Sequence, residues 1–236
     1  MTWRFALLIL LAGASASAQD AKQDWAQLGR YHDDNARQVA SGRRPGIVLL
    51  GDSITEGWAS KRPGVFSTQR ISRGISGQTT PQMLVRFRED VIALHPKAVQ
   101  IMAGTNDIAG NTGPMTPEMT EANIASMTQL AQANGIKVIL ASIPPAANFP
   151  WRPGLEVTSK IVALNDWMRS YAASHGAVYA DYWSTLQDGQ GGMKPGLAYD
   201  GVHPTEQGYD LMLPVLEAAQ KRSAAARSAG CAWPDR

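Results

Sequence analysis

The chain has little cysteine, no excess of one charge and no dedicated metal-binding pattern. Cys231 is its only cysteine, so no intramolecular disulfide can form, although an intermolecular one remains open. CxxC and HExxH spacings are absent, so the sequence predicts no metal site. The 22 basic and 20 acidic side chains nearly balance, and the basic ones are scattered rather than interleaved with aromatic residues. Neither a nucleic-acid partner nor a catalytic thiol is therefore expected.

Long hydrophobic runs are missing as well. The apolar stretch near the N-terminus, residues 5–11, is far shorter than the roughly 20 residues that a membrane-spanning helix requires. It follows the basic Arg4 and precedes a small-residue site ending at Ala18, which is typical of a cleaved secretory signal. We therefore predict that residues 1–18 are a signal peptide and that the mature protein is soluble and either periplasmic or secreted.

The composition indicates one globular domain. Hydrophobic residues make up 44% of the chain and charged residues 18%, which is ordinary for a domain with a sizeable core. The sequence contains no internal repeat. We predict a single domain over residues 19–224, followed by a flexible C-terminal tail over residues 225–236.

Short apolar segments alternate with longer segments of helical periodicity. The strand-like segments are residues 46–50, 98–103, 136–141 and 177–180. The helix-like segments are residues 22–40, 81–94, 116–134, 155–174 and 205–221, with Thr205 as the N-cap of the last. Because apolar strands that alternate with helices favour a parallel sheet covered on both faces, we predict a three-layer α/β/α sandwich.

Polar residues follow several of the predicted strands. Residues 51–53 (GDS) follow the first strand, residues 104–107 (GTND) follow another, and residues 73–80 (RGISGQTT) lead from a short segment into a helix. In parallel sheets, ligands bind in the crevice beyond the carboxyl ends of the strands. These three stretches are therefore predicted to open on one edge of the sheet and to line a site.

A fourth polar stretch, residues 200–204 (DGVHP), precedes the last predicted helix. The carboxylate of Asp200 can accept the Nδ1 proton of His203 and leave Nε2 free to take a proton from a serine. Ser53 is then the candidate nucleophile, because a serine hydroxyl needs such a base to attack. The alternative is that Ser53 only caps the helix that follows it.

An acyl-transfer site also needs donors for the oxyanion of its tetrahedral intermediate. The candidate donors are the backbone N–H groups of Ser53 and Gly77 and the side-chain amide of Asn106. A serine at a helix N-terminus points its own N–H toward such an anion, aided by the helix dipole.

The four stretches together resemble the motifs of a known family, the GDSL or SGNH hydrolases, which carry Ser, Gly, Asn and His in that chain order. The resemblance covers roughly residues 45–222. It implies a flavodoxin-like fold and a serine ester hydrolase that needs no cofactor. It also assigns the glycine donor to Gly77, which follows Ile-Ser, rather than to Gly74.

Carried over by position, the resemblance gives a role to each of five residues. Ser53 is the nucleophile, and Asp200 and His203 complete the catalytic triad. Gly77 and Asn106 complete the oxyanion hole. All four motifs are intact, so the resemblance implies an active enzyme rather than an inactive relative.

The same resemblance suggests the substrate. Residues 74–80 (GISGQTT) and 104–107 (GTND) are similar to the branch that includes platelet-activating factor acetylhydrolase catalytic subunits and bacterial acetylesterases acting on sugars. This implies short acyl groups, chiefly acetyl, on carbohydrates. Lysophospholipase, thioesterase or arylesterase activity is the nearest enzymatic alternative, and a non-catalytic carbohydrate-binding protein is the alternative of another class.

Three residues are candidates for substrate contact. Trp58 follows Ser53 closely and either walls the acyl or leaving-group pocket or packs in the core. Trp151 and Arg152 lie in residues 144–154, a proline-rich stretch predicted to form a stiff loop over the site. There Trp151 either stacks on a sugar ring or pins the loop to the body, and Arg152 contacts a polar substituent.

Overall fold

The structure of the protein, a computed structural model, describes residues 24–225 of the 236. Its strands are β1 Ile47–Gly51, β2 Arg70–Gly74, β3 Ala98–Met102, β4 Lys137–Ala141 and β5 Val178–Ala180. They form one five-stranded sheet in the order β2-β1-β3-β4-β5. Every neighbouring pair is parallel. Four of the strands are short and mostly apolar, as the sequence predicts for a sheet that is covered on both faces. The fifth, β2, carries Arg70, Ser72 and Arg73 and is not among the predicted strands.

Eight α-helices surround the sheet within the described residues. They are α1 His32–Ala40, α2 Ser53–Lys61, α3 Thr80–Asp90, α4 Thr105–Ala109, α5 Pro117–Ala133, α6 Thr158–Ser174, α7 Tyr182–Leu186 and α8 Glu206–Ala225. Short 3-10 helices span Leu28–Arg30, Pro63–Val65 and Ile92–Leu94. A side-chain N-cap marks the start of α5, because the hydroxyl of Thr116 accepts the N–H of Met119 at 3.3 Å.

Buried side chains of the strands alternate between two cores. Val48 and Leu50 of β1 point into a core that α3, α5 and α6 cover. Ile47 and Leu49 point into a second core that α2, α7 and α8 cover. Helices therefore cover both faces of the sheet, and the predicted three-layer α/β/α sandwich is confirmed.

The opening segment differs from the single helix that the sequence predicts over residues 22–40. A 3-10 turn comes first, and α1 begins only at His32. The carboxylate of Asp24 accepts the N–H groups of Leu28 and Gly29 at 2.7 and 2.8 Å. Such local side-chain bonds compete with helical hydrogen bonds, which explains the late start of the helix.

The sequence predicts the closing helix over residues 205–221 with Thr205 as its N-cap. The helix begins at Glu206, and the Thr205 hydroxyl accepts the N–H of Gly208 at 3.2 Å, which confirms the cap. It continues to Ala225, beyond its predicted end. The predicted helix over residues 155–174 instead starts late, at Thr158.

Two predicted segments fall largely outside the described residues. They are the signal peptide, residues 1–18, and the tail from residue 225 onward, with Cys231. Over residues 24–225, no helix has the length and apolar character to cross a membrane. Within the same range, no cluster of three or more His, Cys, Asp or Glu side chains is arranged to hold a metal ion.

Candidate active site

The strand order places a switch point of the sheet beside β1. The chain leaves β1 to form β2 on one side and returns to form β3 on the other. The carboxyl ends of β1 and β2 lie side by side, since Gly51 is paired with Gly74. In open parallel sheets, ligands bind at such a point. The stretches that follow the three strands meet there, as the sequence predicts.

Ser53 is the first residue of α2, at the sharp turn that follows β1. The N-cap of α2 is Asp52, whose carboxylate accepts the N–H of Ile54 at 3.0 Å. The hydroxyl of Ser53 instead lies 2.9 Å from Nε2 of His203. Because Asp52 caps the helix, capping does not explain the serine at position 53.

The imidazole of His203 is bonded to Asp200 through the ring nitrogen that faces away from Ser53. Its Nδ1 lies 2.7 Å from Oδ2 of Asp200, whose other oxygen accepts the N–H groups of His203 and Val202 at 2.8 and 3.0 Å. Burial raises the pKa of the Asp200 carboxyl, but these N–H donors and the imidazole outweigh it and lower the pKa overall. An ionised carboxylate can only accept, so Nδ1 carries the proton and Nε2 can accept one from Ser53.

The residues that carry the candidate oxyanion donors line the same cleft as Ser53 and His203. Gly77 has φ of 77°, a left-handed conformation that favours glycine. Within residues 24–225, the N–H groups of Gly77 and Ser53 have no acceptor. The Asn106 amide donates to the carbonyl of Gln78 at 3.0 Å and approaches Asp52 Oδ2 at 3.4 Å. The second of these contacts is long, so that hydrogen is the one available to an oxyanion.

Gly74, the other glycine of the second stretch, has a different explanation. It ends β2 beneath α2, where an added Cβ would lie 2.2 Å from the backbone nitrogen of Glu56. Its carbonyl accepts the Tyr31 hydroxyl at 2.5 Å. Glycine is therefore required at this position by close packing, whereas Gly77 lines the open cleft.

A cleft of about 890 Å³ opens over these groups. Polar side chains in its lining come from Arg30, Glu56, Ser60, Lys61 and Ser76. Arg30 and Glu56 form an ion pair at 3.1 Å, and Glu56 also accepts the N–H of Ser76 at 2.9 Å.

Two exposed aromatic rings flank the imidazole of His203. Trp151 is 39% exposed, stacks on Phe149 and has its ring centre 6.1 Å from that of His203. Tyr199 is 60% exposed and stacks on His203 at 5.6 Å. Sequence reasoning missed Tyr199, although its position directly before Asp200 is a usable signal.

Two of the predicted substrate contacts do not line the cleft. Trp58 is fully buried and packs against the rings of Tyr209 and Tyr182, so the core-packing alternative is correct for this residue. Arg152 is exposed and lines a smaller depression around Gly110 instead of the cleft. Only Trp151 of the three lies at the site.

Asp52 sits beneath the nucleophile and is almost inaccessible to water. Burial raises the pKa of its carboxyl to about 6, although the N–H of Ile54 and the charge of His203 act in the opposite direction. A carboxyl with a raised pKa favours the folded state when protonated. Its contribution is fully present below the unfolded-state pKa near 3.8 and is lost as the pH rises through about 6.

We therefore expect Asp52→Asn to remove one pH-dependent component of stability. From pH 3.8 to above pH 6, the unfolding free energy of the wild type should fall relative to that of the variant by on the order of 2 to 3 kcal/mol. Urea titrations of both proteins at several pH values in this range measure the difference. A difference that stays constant with pH would contradict the buried, proton-binding carboxyl.

Comparison with known proteins agrees with this geometry. Residues 49–211 match the model of the GDSL-like lipase/acylhydrolase family. The chain is 29% identical over 175 residues to Esterase TesA of Pseudomonas aeruginosa, a match that covers 67% of this chain and 79% of the esterase. Among solved structures, a GDSL-like lipase from Bacteroides thetaiotaomicron is 44% identical with a TM-score of 0.78, covering 84% of this chain and 98% of that one.

A more distant structure shares the fold alone. It is an acetylxylan esterase from Geobacillus stearothermophilus, 20% identical with a TM-score of 0.58, covering 75% of this chain and 95% of that one. The family match, by contrast, spans most of the described residues and includes every strand-end stretch that lines the cleft. This chain therefore belongs to the GDSL-like lipase/acylhydrolase family and is a carboxylic ester hydrolase.

Proposed function

We propose that this protein is an exported serine esterase that removes short acyl groups, chiefly acetyl, from carbohydrate hydroxyls. The observation that carries the serine mechanism is the hydrogen-bonded chain from Ser53 through His203 to Asp200, with distances of 2.9 and 2.7 Å. Ser53 and His203 line the cleft, where a substrate ester can reach them.

The reaction runs through an acyl-enzyme. Ser53 Oγ attacks the ester carbonyl and gives its proton to Nε2 of His203, while Asp200 holds the imidazolium. The N–H groups of Ser53 and Gly77 and the Asn106 amide bind the oxyanion. The intermediate then breaks its bond to the alcohol, which leaves with the proton from Nε2. Water attacks the acyl-enzyme by the same route and releases the acid, so no cofactor enters any step.

The cleft supports a carbohydrate as the alcohol part. Its polar side chains suit a ligand rich in hydroxyl groups, and Trp151 and Tyr199 offer exposed rings beside His203, which protonates the leaving alcohol. An acetylxylan esterase has the same fold, which is compatible with this substrate class. A lysophospholipase would instead call for an extended apolar channel, whereas charged side chains such as Arg30, Glu56 and Lys61 line this cleft.

Thioesterase, arylesterase and non-catalytic binding roles have less support. The polar side chains of the cleft suit a leaving group rich in hydroxyls better than an aryl or thiol one. A non-catalytic carbohydrate-binding protein would have no need for a serine within hydrogen-bond distance of an oriented histidine.

Export rests on the sequence pattern of residues 1–18. We expect the mature protein purified from its native host to begin at Gln19, because cleavage after Ala18 removes the signal. Mass spectrometry of the intact protein measures this. A mature chain that still carries Met1 would contradict cleavage.

The substrate is tested by comparing acid release from two kinds of ester. Purified protein is incubated with an acetylated sugar polymer and, separately, with nitrophenyl esters of increasing chain length. We expect acetate release from the polymer and rates that fall sharply beyond the shortest esters. Rates that rise with chain length, together with no release from the polymer, would move the assignment to a lipid or general esterase.

A further inference from the structure

The loop that carries Gly77 is anchored on its buried side by the next residue, Gln78. This side chain is only 1% exposed, and both of its polar atoms are bonded. Its Oε1 accepts the Nε hydrogen of Arg86 at 2.6 Å, and its Nε2 donates to the carbonyl of Ala26 at 2.8 Å. The backbone N–H of Gln78 reaches the carbonyl of Ile75 at 3.3 Å and closes the turn around Gly77.

Gln78 also touches the second candidate donor. Its backbone carbonyl accepts one hydrogen of the Asn106 amide at 3.0 Å. That bond fixes the plane of the amide and leaves its other hydrogen with only the long contact to Asp52 Oδ2, at 3.4 Å. On the opposite side, Oδ1 of Asn106 accepts from Asn111 at 2.7 Å, so the amide cannot flip without losing both bonds. One residue thus links the backbone donor and the side-chain donor.

Arg86 fixes Gln78 relative to the nucleophile. The guanidinium is fully buried, and its Nη2 donates to the carbonyl of Gly51, two residues before Ser53, at 3.0 Å. Its Nη1 pairs with Asp90 at 2.8 Å. A buried ion pair is weak support for stability, because desolvation of both charges offsets their attraction. The pair is therefore better explained by what it holds in place.

The far end of this network lies in the segment that precedes the family match. Asn35 of α1 donates to Asp90 at 2.6 Å, and Ala26 supplies the carbonyl that Gln78 reaches. Residues 24–40 lie outside residues 49–211, which match the family model. The opening segment thus contacts the loop that carries Gly77 on its buried side.

We propose that Gln78 is a positioning residue for the oxyanion hole, held in register with Ser53 by Arg86 and by the opening segment. This inference rests on the proposed function, because it assumes that Gly77 and Asn106 bind the oxyanion. Oxyanion donors act only when they are fixed where the charge develops. A displacement of about 1 Å can cost on the order of 10² in rate. Loss of Gln78 contacts should therefore lower kcat more than it changes KM.

The test compares Gln78→Met, which keeps the size of the side chain, with Gln78→Glu, which keeps the contact with Arg86 but cannot donate to Ala26. Tyr182→Phe is the matched control, since it removes one buried hydrogen bond, to Gln100 at 2.6 Å, on the other side of the sheet. For each protein, kcat and KM for nitrophenyl acetate, the inhibition constant of a small alkylboronic acid and the thermal midpoint are measured.

We expect Gln78→Met to lower kcat by about 10- to 100-fold with KM within about twofold. The inhibition constant of the boronic acid, which binds as a tetrahedral anion, should rise in parallel. Gln78→Glu should retain more of the kcat than the methionine variant. If Gln78→Met does not fold, Gln78→Glu still tests the positioning role. Tyr182→Phe should lose stability but keep its kcat.

A Gln78 variant that is folded and keeps kcat and boronate affinity, or that changes only KM, would overturn the positioning role. Failure of the proposed function gives a different result. In that case the wild-type rate itself would persist in the Ser53→Ala variant, whatever Gln78 does.

Discussion

Replacement of Ser53 by alanine is expected to abolish ester hydrolysis. No other described hydroxyl lies within hydrogen-bond distance of His203 Nε2, so the variant cannot form the acyl-enzyme. Loss of a serine nucleophile lowers kcat by roughly 10⁴- to 10⁶-fold, and the remaining rate comes from the oxyanion donors and substrate binding. Initial rates with nitrophenyl acetate, measured on protein with an unchanged thermal midpoint, give this ratio.

Ser60→Ala is the matched control for that loss. Ser60 is exposed, lies on the same helix and lines the same cleft, yet it makes no contact with His203. Its replacement should leave kcat for nitrophenyl acetate within about twofold of the wild type, because Ser60 does not contact the reacting groups and this substrate has no sugar for it to bind. Comparable rates in Ser53→Ala and Ser60→Ala would exclude Ser53 as the nucleophile.

Asp200→Asn is expected to cost about 10⁴ in kcat, the loss typical of an asparagine in place of a triad aspartate. The new amide would present an N–H to Nδ1 of His203 and favour the tautomer that carries its proton on Nε2. That tautomer cannot accept a proton from Ser53, so the base is lost while the geometry is kept. The change should appear in kcat rather than in KM, measured with nitrophenyl acetate across the pH range in which the protein is folded.

Asp188→Asn controls for the substitution itself. Asp188 lies in the loop that precedes Tyr199, and its carboxylate accepts the N–H groups of Gln190 and Gly192 at 2.7 and 3.1 Å. An asparagine can accept the same bonds, so this variant should keep its rate. A normal kcat in Asp200→Asn would show that Asp200 does not orient the base.

Four of the five strands could be predicted because their own residues determine them, whereas β2, with two arginines and a serine among its five residues, has no apolar run to reveal it. Apolar runs such as residues 98–102 belong in a sheet covered on both faces, and glycines such as Gly135 mark the ends of helices before the next strand. The start of α1 could not be predicted in this way, because it depends on where the Asp24 carboxylate finds its donors. Periodicity alone extends the helix too far.

For the candidate site, residues close to a motif were easier to predict than residues reached through long-range contacts. Trp58 lies five residues after Ser53 on the same helix. With 3.6 residues per turn, its side chain is rotated about 140° from that of Ser53 around the helix axis, and it lies in the core. Glu56, three positions on, stays on the cleft side. Gln78 and Arg86 gain their roles only from contacts with distant segments, and no local pattern reveals those contacts.

The most direct test of the account is to find the residue that a fluorophosphonate modifies. The wild-type protein is labelled and digested, the modified peptide is sequenced by mass spectrometry, and Ser53→Ala is treated in parallel. We predict one label, on Ser53, and none on the variant, because within residues 24–225 only this hydroxyl has both a histidine oriented by a carboxylate and the candidate oxyanion donors beside it. A label on another residue, or none on folded wild-type protein, would contradict the serine mechanism.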